Sequence, residues 1–373
     1  MLKHTSIWLP AYLRTRFARR STARPVHVMF CVADHFEPDW GGADLATQVA
    51  RTERWVSEYP LLSRKHRDAD GRHPRWTFFY PAEVYRPEVL ERLAALCREG
   101  FGEVEIQLHH DGDTPETLAH KLEQAKRDFA RHGLLARERA TGQVQFGFVH
   151  GNWALDNSRR DGRWCGVNNE LSLLQQAGCY ADFTLPSAPS DTQTRKINSI
   201  YYAADDPQRP KSHDTGRDVA VGVEPDGALL IVQGPLTLNW RRRKFGVLPR
   251  IENGELSASN PPGPQRTDLW IREAIGVAGR PDWVFVKVYA HGAKEENAAV
   301  LLGEPMEALL THLETRYNDG ERFRLHYVTA REMVNLIKAA ERGEQGEPGR
   351  YRDYELVLDP KSKIQNPKCE YQP

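Results

Sequence analysis

Short apolar runs alternate with amphipathic helical stretches along almost the whole chain, and nothing else in the sequence restricts its fold so strongly. Residues 26–33 are a continuous apolar run, followed by helical spacing through Leu45, Val49 and Val56. Strand-like segments recur at 76–80, 104–109, 144–150, 181–185, 229–232, 284–291 and 324–328. Between several of them lie stripes at helical spacing, such as Val89, Leu90, Leu93 and Leu96, then Leu118, Leu122, Ala125 and Phe129. Strand followed by helix seven or eight times predicts an α/β protein, a (β/α) barrel of seven or eight parallel strands. A doubly wound sheet buries both faces of its strands and makes both apolar. Here one face is polar: Glu105, Gln107 and His109 alternate with Val104, Ile106 and Leu108, and Lys287, Tyr289 and His291 alternate with Val286 and Val288. Asp182 and Thr184 do the same. The expectation is a barrel with a polar interior, where Glu105 and Lys287 pair. No glycine-rich phosphate loop follows the first strand, which disfavours a nucleotide fold.

Within 373 residues the pattern divides into an N-terminal extension (1–25), one barrel domain (26–345) and a C-terminal tail (346–373). Two insertions interrupt the domain. Residues 186–227 are rich in Asp, Pro, Ser and Gly and read as a lid or loop. Residues 236–265 are irregular and carry Arg241 to Lys244, a basic run of the kind that is usually solvated. Lys plus Arg and Asp plus Glu are equal at 51 each, so no net field points to nucleic acid. The five cysteines are scattered, with no CxxC, and favour a reducing compartment, hence a cytoplasmic protein, over disulfides. A Cys165–Cys179 bridge is the minority reading. Residues 7–20 are basic and aromatic without an apolar signal core. Packing against the barrel rim is the expectation there, with peripheral membrane contact as the alternative. No run is long enough to span a bilayer.

The chemistry-bearing residues gather where strands end. Asp34, His35 and Glu37 follow the first strand; His109, His110 and Asp113 the third; His150 the fourth; His291 the seventh. Thr114-Pro115 opens a helix at once, with Asp113 or Thr114 as its cap, so the third group sits at a βα junction. Parallel barrels keep their chemistry at this pole. Imidazole nitrogens with carboxylate oxygens form a set of donors suited to a divalent metal.

These motifs resemble those of the NodB-type polysaccharide deacetylases, metal-dependent enzymes on a distorted (β/α) barrel that remove N- or O-acetyl groups from glycans. The resemblance runs over roughly residues 26–328. Asp34-His35 stands where the family has paired aspartates, a base followed by a metal ligand. Glu105 to Asp113 stands where it has His-Thr/Ser-x-x-His, with Asp113 in place of the second histidine. Tyr289-Ala290-His291 matches its late Leu-x-His motif. The resemblance implies zinc held by His35, His109 and Asp113, with Asp34 as base and His291 as acid. In the other alignment Asp34 is the metal ligand and Glu37 the base. The family's Arg-x-Pro motif is replaced by residues 148–153, leaving Arg159 or Arg163 to orient the base. Substrate contacts are expected from His110, His150, Trp153, Tyr289 and Arg159, with Trp40 also placed to stack on sugar. The partner is then a glycan or glycan precursor. Rival readings are a metal-independent glycoside hydrolase pairing Asp34 or Glu37 with Asp113, a two-metal phosphoesterase, and a silent glycan-binding barrel in a polysaccharide assembly system.

Overall fold

The computed structural model describes residues 4–15, 25–225 and 227–358. Its strands in chain order are β1 (Val26–His35), β2 (Trp76–Pro81), β3 (Gly102–Leu108), β4 (Ala136–Glu138), β5 (Val144–His150), β6 (Cys179–Asp182), β7 (Ile200–Ala203) and β8 (Arg217–Asp218). There follow β9 (Leu229–Val232), β10 (Thr237–Lys244), β11 (Leu248–Glu252), β12 (Glu255–Leu256), β13 (Trp283–Ala290), β14 (Phe323–Tyr327) and β15 (Leu356–Leu358). The helices are α1 (Thr5–Thr15), α2 (Leu45–Ser63), α3 (Pro87–Arg98), α4 (Pro115–Arg131), α5 (Glu170–Gln176), α6 (Pro264–Arg272), α7 (Glu295–Leu301), α8 (Glu304–Tyr317) and α9 (Ala330–Glu341).

Thirteen strands form one large, mostly parallel sheet whose central order is β12-β13-β1-β2-β3-β5-β6-β9-β7-β8. The α/β expectation is met. β1 is its hub. One edge pairs along β13 from His27 to Asp34; the other is shared, with β14 against Val26–Phe30 and β2 against Ala33–His35. Period-two alternation then sorts its side chains. Val28, Phe30 and Val32 pack with Trp55, Tyr59, Leu93 and Leu122 of the α2–α4 layer. Met29, Cys31 and Ala33 pack on the opposite face with Phe79, Phe183, Val334 and Ile337, the last two from α9. Thr114 caps α4 and Thr329 caps α9, both as capping boxes.

The polar stripe of β3 is real, but its partners differ from expectation. Glu105 accepts from Gly147 N at 2.6 Å and from the Tyr180 hydroxyl at 2.5 Å. Lys287 donates instead to the carbonyls of Phe183 and Leu185, both at 2.6 Å. Those carbonyls are turned toward Lys287, and β6 accordingly ends at Asp182 rather than running to Leu185. Burial pushes the Lys287 ammonium down to about 7. It also pushes the Glu105 carboxyl up to about 8, against its bonds from Tyr180 and Gly147. Because that value lies above the ordinary 4.5, the folded chain holds a proton there that the unfolded chain releases. Stability is therefore expected to fall as pH rises from 4.5 to 8. Glu105→Gln should flatten that slope and raise stability at pH 8 by up to about 4 kcal/mol. Urea unfolding at several pH values measures both; an unchanged slope would refute the assignment.

Residues 186–227 are partly sheet: β7 adds antiparallel to β9, and β8 to β7. Its four apolar residues were too short a signal amid polar neighbours. β10 and β11 form a separate antiparallel hairpin carrying the basic run, with Arg241, Arg243 and Lys244 exposed. Trp8 and Tyr12 of α1 are buried against Ala188, Ile197 and Leu236, so protein covers that apolar surface. Cys165 and Cys179 are both free and buried. Among the described residues no helix is long and apolar enough to cross a membrane.

Candidate functional site

Parity at the end of β1 decides which residue reaches the pocket. Asp34 shares its face with Val28, Phe30 and Val32, beneath α2. There its carboxylate accepts from Trp76 Nε1 at 2.8 Å and from Gly292 N at 2.6 Å. A Cβ on Gly292 would lie 2.2 Å from Asp34 Oδ2, so this contact closes the space around the carboxylate. Burial raises Asp34 to about 6, partly countered by those two hydrogen bonds. Asp34 thus joins β1 to the end of β13, its carboxylate bonded to Trp76 and Gly292. Adjacent strand residues point to opposite faces, so Asp34 and His35 do not share one pocket.

His35 faces the pocket, and Glu37 stands at its centre. Glu37 Oε1 accepts from Gln107 Nε2 at 2.6 Å and lies 3.3 Å from His109 Nε2; Oε2 lies 3.1 Å from His291 Nδ1. The His35 ring stacks on Trp153 at 4.7 Å and lies 4.9 Å from the His291 ring. One donor atom from each of His35, Glu37 and His291 falls within 4.8 Å of the others. His35 Nδ1 is buried without a hydrogen-bond partner. On its other side His109 Nδ1 meets Glu83 Oε1 at 2.5 Å. The Glu83 and His109 side chains are about 30% exposed, against 1% for the whole of His35.

The electrostatics follow from this nesting. Burial alone would raise Glu37, but hydrogen bonds from His109 and His291 hold it well below the usual carboxylate range. Burial opposes charge on His109, yet Glu37 and Glu83 together lift it to about 10. Burial, then the neighbouring His291, pushes His35 well below its ordinary value and leaves its ring neutral, the form that binds metals. Gly151 is required at the rim: a Cβ there would lie 2.4 Å from His109 Nε2.

Other expected residues lie elsewhere. Both carboxylate oxygens of Asp113 accept from Lys121 at 2.8 Å, and one also from Thr117. The expected His35–His109–Asp113 set therefore does not form, because Asp113 faces α4 and His110. His110 and His150 are buried, out of reach of a substrate. They meet Glu170 Oε1, His110 Nε2 at 3.2 Å and His150 Nε2 at 4.0 Å. Arg159 is paired with Asp161 and stacks on Trp164; Arg163 binds the same carboxylate. Tyr289 is buried behind Trp153, its hydroxyl accepting from Asn253. Trp153 lines the pocket, and Trp40 is half exposed beside His291. Glu83, Gln107, Cys165 and Glu170 were missed. Glu83 follows β2 directly, a carboxylate at a strand end passed over because that end carries no histidine.

No protein-family model matches the chain, and no curated protein matches its sequence. The site's chemistry has to be read from its own donors. Among the described residues four groups offer a metal ion several ligands each: His110, His150, Cys165 and Glu170, all buried; His35, Glu37 and His291; His27, His326 and Glu347; and Asp68, Asp70 and His326.

Proposed function

We propose that this protein is a metal-assisted hydrolase that removes acetyl groups from a glycan or glycan precursor in the cytoplasm, on a (β/α)-barrel frame like that of the polysaccharide deacetylases its motifs resemble. The supporting observation is the His35–Glu37–His291 cluster at the carboxyl end of parallel strands, with an unpartnered imidazole nitrogen on His35. Two imidazoles and one carboxylate leave a coordination position open, the donor set that suits catalytic zinc. When bound, zinc would acidify a water and polarise the acetyl carbonyl.

The chain's own groups account for the rest. Glu83 orients His109, whose Nε2 faces the centre and handles the proton passed to the leaving amine or alkoxide. Gln107 fixes the rotamer of Glu37. Trp40, half exposed beside His291, is the ring a sugar would reach, whereas the Trp153 ring is stacked on His35. A metal-independent glycosidase pairing Asp34 or Glu37 with Asp113 has little support, since Asp34 and Asp113 are each bound elsewhere.

Chelation is expected to abolish acetate release from an acetylated oligosaccharide, and zinc to restore it. Gly151→Ala, which pushes the His109 ring aside, should lower turnover by roughly 10²-fold. Activity that survives chelation would exclude the metal-assisted reading. Unchanged turnover in Gly151→Ala would remove His109 from the proton path.

A further inference from the structure

Adjacent residues His109 and His110 look into different clusters. The second cluster is buried throughout. His110 follows β3, His150 ends β5, Cys165 lies in the 151–169 connection and Glu170 opens α5. All four are buried, three of them completely. His110 Nε2 lies 3.2 Å and His150 Nε2 4.0 Å from Glu170 Oε1; Cys165 Sγ lies 3.3 Å from Oε2.

The geometry points to a closed, four-ligand zinc site, built from His110, His150, Cys165 and Glu170, that fastens the 151–170 segment to the ends of β3 and β5. The ring of His150 carries the argument. Its Nδ1 accepts from Asn152 N at 3.3 Å, which places the proton of a neutral ring on Nε2. Nε2 is buried, aimed into the cluster and without a hydrogen-bond partner. A buried donor left in that state costs roughly 1–3 kcal/mol; as a metal ligand the nitrogen is satisfied.

Spacing and charge agree. Zinc bonds of about 2.0–2.3 Å in a tetrahedron place ligand atoms roughly 3.3–3.8 Å apart, and one donor atom from each of the four residues lies within 4.8 Å of the others. A thiolate and a carboxylate with two neutral imidazoles balance a divalent cation, leaving no net charge in the interior. Beside the cluster His110 Nδ1 lies 2.9 Å from Asp113 Oδ2, without the geometry of a hydrogen bond, and Asp113 is fixed in turn by Lys121 and Thr117. Four protein donors leave no position for substrate, so the ion is structural. It holds Gly151 and Trp153, and through them the wall of the neighbouring pocket.

Cobalt titration of the reduced, metal-stripped full chain tests this. About two equivalents are expected, one producing a near-ultraviolet thiolate-to-cobalt charge-transfer band. Cys165→Ser should lose that band and one equivalent. Cys179→Ser, which alters another buried thiol, should keep both. Glu37→Gln should lose the other equivalent and keep the band. X-ray absorption of the zinc-loaded wild-type chain needs no variant and should show sulfur at about 2.3 Å. One equivalent without sulfur would overturn this site and leave the proposed hydrolase standing. One equivalent with sulfur would support this site and count against the catalytic metal.

Discussion

Glu37→Gln is expected to lower kcat/KM for acetate release by roughly 10³-fold, with one fewer zinc ion bound per chain. Glu37 touches three of the site's functional groups. Glu37 receives Gln107 and His109 on one oxygen and His291 on the other. Glutamine keeps the shape but turns one acceptor into a donor and removes the charge that both histidines face. The stability cost should be about 1.5–3 kcal/mol, the scale of a hydrogen bond to a charged group, and the urea midpoint separates lost catalysis from lost folding. Glu105→Gln is the matched control. It alters a carboxylate on the same face of β3 as Gln107, two residues away, and should leave turnover unchanged. Equal losses in both variants, or none in Glu37→Gln, would show that Glu37 is not the centre of the site.

Arg331→Met should destabilise the protein by roughly 3–5 kcal/mol, a large share of the 5–15 kcal/mol that holds a typical domain. Its guanidinium is 1% exposed and forks onto both oxygens of Glu103 at 2.8 and 3.0 Å. It also binds Asp353 at 2.7 Å and the Leu356 carbonyl at 2.8 Å. Burial works against this charge; Glu103 more than restores it and holds the guanidinium above its ordinary value. The network continues through Arg75, Glu332 and Arg352 to Asp68. Removing Arg331 leaves Glu103 with Arg75 alone. The double variant Arg331→Met, Glu103→Met should recover part of the loss, because a missing pair costs less than an orphaned charge. Urea unfolding with an unchanged m value measures it. A single-variant loss under about 1 kcal/mol would mean that water reaches this network.

The sequence announces the strands well because burial imposes a period on them, and β1, β2, β3, β5, β13 and β14 stand within a few residues of where the apolar runs place them. It hides β10, whose Arg and Lys side chains lie on a hairpin outside the main sheet, and β7, whose four residues make too brief a signal. At the site, His35, Glu37, His109 and His291 were recognisable as strand-end residues, and they do converge. What a linear reading could not supply is the direction of each side chain. Asp34 lies next to His35 yet faces α2; His110 lies next to His109 yet faces Glu170. Cys165 lies in a connection with no periodicity and Glu170 at the start of a short helix, so only the folded chain brings them to His150.

The shared edge of β1 has a consequence for biosynthesis. Its first half is completed by β14, and Asp68 and Asp70 wait for Arg352, which lies 284 and 282 residues further along. A nascent chain that has emerged only to β13 holds an open strand edge and unanswered carboxylates beneath it. Such intermediates are prone to aggregate. The final thirty-odd described residues, 323–358, therefore act as the closing step of assembly, and a message cut short before them would yield a chain without a finished core.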